Sequence, residues 1–134
     1  TPRRQSLRSG RKTPDRMALD TNEDTMALTI NIRYTGAPGA ALGFAREMES
    51  GGVASAVRAE EGNLRYEYFQ ALADPDTVLL VDQWADQAAL DAHHATPMMA
   101  RIAELRDKYD LHMSVERYVD ADGGSADDDT FVRH

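Results

Sequence analysis

The order of periodicities in this sequence predicts an α+β domain of the split βαβ, ferredoxin-like kind, with helices on one face of a four-stranded antiparallel sheet. Three observations carry this. Stretches with apolar residues at every second position, the repeat of a strand, flank stretches with apolar residues three or four apart, the repeat of a helix. Read in order they give β-α-β-β-α-β. Asp74-Pro75-Asp76 is a turn signal between the two middle strands, which joins them as a hairpin.

Residues 1–25 have almost no apolar content and read as a disordered basic extension. Arg3-Arg4 resembles a twin-arginine signal, but no apolar run follows it. Met26 is a plausible natural start for a folded domain spanning residues 26–119. Ala27 to Tyr34 alternates, with Leu28, Ile30, Ile32 and Tyr34 on one face and Thr29, Asn31 and Arg33 on the other, so it is the first strand. Gly36-Ala37-Pro38-Gly39 breaks it. Ala40 to about Glu61 is helical, with Phe44 and Met48 on an apolar face. Gly51-Gly52 should kink or split that helix, and Gly62-Asn63 should stop it in a left-handed turn.

Leu64 to Leu72 is the second strand, with Leu64, Tyr66, Tyr68 and Leu72 expected on one face. Thr77 to Trp84 is the third. Asp86 can N-cap the helix that runs to His93, since its carboxylate can accept from free backbone N–H groups. Thr96 is expected to cap a second helix from Pro97 to about Lys108, with proline at the first helical position. Leu111 to Val119 alternates again and forms the fourth strand. Residues 120–134 carry five Asp against one Arg and read as an acidic mobile tail. With the helices on one face, the other sheet face is left with Tyr, Phe and apolar residues, which predicts a face-to-face homodimer.

The 134 residues are the length of one domain, and 42% hydrophobic content is enough for a core. No apolar run long enough to span a membrane occurs, and the expected location is the cytoplasm. The absence of cysteine removes disulfides and thiolate chemistry. A net charge of −8 disfavours nucleic acid as a partner, because such binding draws its affinity from phosphate neutralisation.

Two blocks carry a family resemblance. Trp84, Leu90, His93, Thr96 and Pro97 stand as W-x5-L-x2-H-x2-T-P, and Glu60-Glu61-Gly62-Asn63-Leu64-Arg65-Tyr66 reads as an E-E-G-N-x-x-Y turn and strand. In order and separation these resemble the antibiotic-biosynthesis-monooxygenase family, which includes quinol monooxygenases and autoinducer-processing isomerases. The resemblance covers roughly Met26 to Val119. It implies a dimeric α/β barrel and a cofactor-independent oxidation of a quinol or polycyclic phenol by O2. Close relatives often read T-P-H where this chain has Thr96-Pro97-Met98. Haem-degrading relatives present an axial histidine in the second helix, and Pro97 to Lys108 holds none.

His93 is the candidate catalytic residue, because neutral imidazole can take a proton near pH 7. The plainer reading is a buried histidine that ties helix to sheet. Trp84 could form an aromatic wall for a planar substrate, or be a large core residue. Tyr66 and Tyr68 could line the same pocket or be half-buried sheet. Asn31 could stabilise a phenolate, or could be solvated or face a dimer partner. Met98 occupies the T-P-H position and would touch substrate. His94 lies about 100° round the helix from His93 and should face solvent. No H-E-x-x-H, glycine-rich phosphate loop or G-x-S-x-G elbow occurs, so metal, nicotinamide and flavin find no support as cofactors. Two alternatives stand beside the oxygenase. One is a proton-transfer isomerase of a small metabolite, using Arg33 or Arg65 to hold an anion. The other is a non-catalytic small-molecule-binding dimer.

Overall fold

The computed structural model describes residues 25–121. The expectations for the two terminal extensions fall outside the described residues, apart from residues 25, 120 and 121. The elements are β1 Leu28–Thr35, α1 Ala40–Ser50, α2 Val53–Arg58, β2 Asn63–Gln70, β3 Val78–Trp84, α3 Gln87–His94, α4 Met98–Lys108 and β4 His112–Val119. The strands form one antiparallel sheet in the order β2-β3-β1-β4. This is the ferredoxin-like arrangement that the periodicities predict.

Alternation fixes which residues face the helices. β3 buries Val78, Leu80, Asp82 and Trp84 and half-buries the residues between them. β1 turns Leu28, Ile30 and Tyr34 the same way. Against this face lie Phe44 and Met48 of α1, Val57 of α2, Leu90 of α3, and Ile102 and Leu105 of α4, all buried. Phe44 is the aromatic hub, with its ring centroid 4.8 Å from that of Tyr34 and 6.1 Å from that of Tyr68.

Gly51-Gly52 splits the long helical stretch, as expected. Gly52 takes a φ of 82°, a left-handed conformation that glycine enters without a Cβ clash, and α2 restarts from it. Asp86 caps α3, accepting from Ala89 N–H at 2.9 Å. β4 is an edge strand. Its Met113 and Val115 are on the helix side, opposite Tyr34 and Ile32, yet stay 43% and 55% exposed.

Three local expectations need correction. The ladder slips between Asn63 and Arg65, so Leu64 bulges out, 58% exposed, instead of sharing the inner face with Tyr66. β2 stops at Gln70. The hairpin closes through Ala71 N–H to Thr77 O, and the Asp74 side chain takes Asp76 N–H and the Thr77 hydroxyl, which leaves Leu72 in solvent. Thr96 does not cap α4 with its side chain. Its hydroxyl donates to His93 O at 2.8 Å and closes the end of α3, whose last carbonyls have no partner within the helix.

Candidate active site

The two sequence blocks meet in space. The turn after α2 carries Glu60 to the last turn of α3, where the two oxygens of its carboxylate lie 2.9 and 3.1 Å from His93 Nδ1. An ionised carboxylate can only accept, so Nδ1 carries the hydrogen and Nε2 is left as the basic nitrogen. On its other side the imidazole stacks on the Trp84 indole, with centroids 4.7 Å apart and planes 27° apart. His93 is 4% exposed and Glu60 18%. The ring is thus fixed in tautomer by Glu60 and in plane by Trp84.

Gly62 makes this approach of elements feasible. Its φ is +85°, and a Cβ there would stand 2.4 Å from Ala89 Cβ. Its carbonyl accepts from Ala85 N–H at 2.8 Å. Without a side chain at 62, α3 settles directly on the turn that holds Glu60.

A cavity of about 340 Å³ opens between the inner face of the sheet and helices α3 and α4, which is within the usual size of a small-molecule site. Ile30, Tyr66, Leu80, Leu90 and Ile102 make its walls mainly apolar, and His93 and Met99 border it. Arg106 and Arg117 also line it, next to the exposed Met113 and Val115. Among the described residues no carboxylate pairs with either guanidinium. Arg106 reaches Met113 Sδ at 3.7 Å, and Arg117 donates to Gln87 Oε1.

Asp82 borders the same cavity, only 5% exposed. Among the described residues its Oδ1 has no hydrogen-bond partner. Burial is the main cause that pushes its pKa up from 3.8 to about 7; the nearby Trp84 indole opposes the shift and the Glu60 charge adds to it. Trp84 is close enough to act on the carboxyl, but among the described residues its Nε1 also lacks a partner of normal hydrogen-bond geometry. Burial likewise raises the Tyr34 and Tyr66 hydroxyls, so both remain protonated donors.

The other sequence candidates are dispersed. Tyr66 borders the cavity. Tyr68 sits behind it, with the two hydroxyls 3.3 Å apart, and lines a shallow depression with Leu42 and Arg46. Trp84 is fully buried behind His93 and does not line the cavity. Met98 packs against the core, while Met99, the next residue, borders the cavity. Asn31 is on the opposite face of the sheet, because Ile30 and Ile32 take the inward positions of β1. Arg33 and Arg65 lie on that outer face too, paired with Glu116 and Glu67. His94 is exposed, at the cavity's edge.

Glu60, Asp82, Met99, Arg106 and Arg117 also stand at the cavity or against His93 and are not among the site residues expected from the sequence. A signal for Asp82 was present, since it falls in step with Val78, Leu80 and Trp84. Among the described residues no group of three His, Asp or Glu converges to hold a metal ion, and no helix is long and apolar enough to cross a membrane.

The model of the antibiotic biosynthesis monooxygenase family matches residues 27–105. The protein called "Putative monooxygenase YcnE", from Bacillus subtilis (strain 168), is 38% identical over 39 residues, or 29% of this chain and 41% of YcnE. In fold, the chain resembles PA3566 from Pseudomonas aeruginosa at 27% identity and a TM-score of 0.61, over 74% of this chain and 98% of that one. Rv0793 from Mycobacterium tuberculosis shares the fold at 18% identity and a TM-score of 0.59, over 74% and 99% of the two chains. With well over half of its length matched by the family model, this chain belongs to the antibiotic biosynthesis monooxygenase family.

Proposed function

We propose that this protein is a cofactor-independent monooxygenase that oxidises a quinol or polycyclic phenol with O2. The observation that carries the reading is His93, held by Glu60 and stacked on Trp84, bordering a mainly apolar cavity. His93 Nε2 removes a proton from the substrate and Glu60 stabilises the imidazolium that forms. The electron-rich anion is itself the reductant of O2. For an anthrone-type substrate the balance is a ring CH2 plus O2 giving a ring C=O plus water. The protein supplies the base, orientation and exclusion of water. The substrate range follows the cavity: a flat apolar body, with any anionic substituent towards Arg106 and Arg117.

The reading includes a cytoplasmic homodimer joined through the outer face of the sheet. Phe69 and Tyr118 lie on that face, 41% and 49% exposed, with Leu79 and Val81 half-buried between the ion pairs. A proton-transfer isomerase of an anionic metabolite is the second reading. Arg106 and Arg117 favour it, since they are the cations that line the cavity while Arg33 and Arg65 lie on the far face. Oxygen uptake by metal- and flavin-free protein, over a panel of hydroquinones and anthrones, tests the proposal. Uptake well above autoxidation supports it; turnover of substrate without oxygen identifies the isomerase instead.

A further inference from the structure

We infer that Asp82 holds a hydroxyl group of the aromatic substrate inside the cavity, as a second polar contact beside His93. This rests on the reading of the cavity as an aromatic site but not on the oxidation itself.

The one donor that the fold brings near Asp82 is the Trp84 Nε1–H, and among the described residues the two make no hydrogen bond of normal geometry. Among the described residues Asp82 caps no helix and forms no ion pair, and its Oδ1 is buried without a partner. Its neighbours along the inner row of β3 are Val78, Leu80 and Trp84, and leucine would continue that row. A buried polar atom left unpaired is costly to the folded state. The cost makes sense where the missing partner arrives with a ligand, and Asp82 borders the same cavity as His93.

The groups around it leave that capacity unmet. Tyr34 and Tyr66 project from the same sheet face, and the Tyr66 hydroxyl is engaged with that of Tyr68. Glu60 is engaged with His93. His94 and Arg106 border the cavity from α3 and α4, and Arg117 from β4, without bonding to Asp82. A ligand hydroxyl can donate to Oδ1 whether the carboxyl is ionised or protonated, and the bond is stronger when it is ionised. The ligand class is an aromatic alcohol with the hydroxyl on a ring edge that reaches β3.

The test is calorimetric binding of 2-naphthol and of its methyl ether, 2-methoxynaphthalene, which share the ring body but differ in the donor. Wild type should prefer the naphthol by about tenfold, the worth of one well-placed hydrogen bond. Asp82→Leu should abolish the preference while binding the ether at least as well. The same preference in Asp82→Leu, or no binding of 2-naphthol by wild type, overturns the inference. Should the leucine variant fail to fold, Asp82→Asn decides. Wild-type affinity for naphthol should rise as pH increases through neutrality and that of Asp82→Asn should not; a wild type without the rise, or a rise that persists in the variant, overturns the inference. Because both probes are read by binding alone, a lost preference in a protein that consumes no oxygen keeps this contact and rejects only the oxygenase.

Discussion

Replacing Asp82 by asparagine should stabilise the protein, and by an amount that grows with pH. The carboxyl is harder to ionise when folded, with its pKa raised from 3.8 to about 7. Below about pH 3.8 both folded and unfolded chains hold the proton, and the group has no effect on their balance. As pH rises the unfolded chain releases the proton first, so folding becomes steadily less favourable, and the loss is complete above about pH 7. A shift of about three units corresponds to roughly 4 kcal/mol, an upper bound that local relaxation will reduce. Asparagine has the same shape and no ionisation. Urea denaturation at fixed protein concentration, from about pH 4 to about pH 8, measures the gap. The variant should match wild type at the acid end and exceed it by about 2–4 kcal/mol at the alkaline end. A gap that stays constant with pH, or a wild type that gains on the variant as pH rises, would refute the argument that this carboxyl is buried without compensation.

Glu60→Ala should leave the His93 Nδ1–H buried without an acceptor, at a cost of about 1–3 kcal/mol in denaturation, and should lower turnover at least tenfold by freeing the tautomer. Glu60→Gln keeps an acceptor and should recover most of the stability but not the rate. Gly62→Ala combines a φ of +85° with a Cβ 2.4 Å from that of Ala89, so it should destabilise by about 2–4 kcal/mol. It should also shift the fluorescence of Trp84, the single tryptophan, as α3 and its His93 are displaced.

Much of this architecture is legible in local sequence. The alternation in Ala27–Tyr34, the Asp86 cap and the break at Gly51-Gly52 depend on neighbours a few residues apart, and each forms as read. His93 and Glu60 lie 33 residues apart, and no local rule joins them. Their pairing needs the turn at Gly62 to receive α3, and this gives the two family blocks one physical task. Thr96 shows the opposite failure: good capping chemistry is spent on the helix before it, because the corner brings its hydroxyl to His93 O. The position of Asn31 could not be settled by alternation alone. Alternation separates it from Ile30 and Ile32, but only the packing of α3 and α4 decides which set meets the cavity. The same packing leaves Trp84 buried behind the imidazole, stacked on it and off the cavity lining.

The most direct measurement is oxygen uptake by wild type and His93→Asn, side by side, with an anthrone as substrate. Asparagine can still donate to Glu60 in place of Nδ1–H but has no basic nitrogen, so the fold is kept where alanine would strand the carboxylate. The expected result is uptake by the metal- and flavin-free wild type and a fall of about 10²–10⁴-fold in a variant whose denaturation midpoint is little changed. Uptake by the folded variant equal to that of wild type would contradict it.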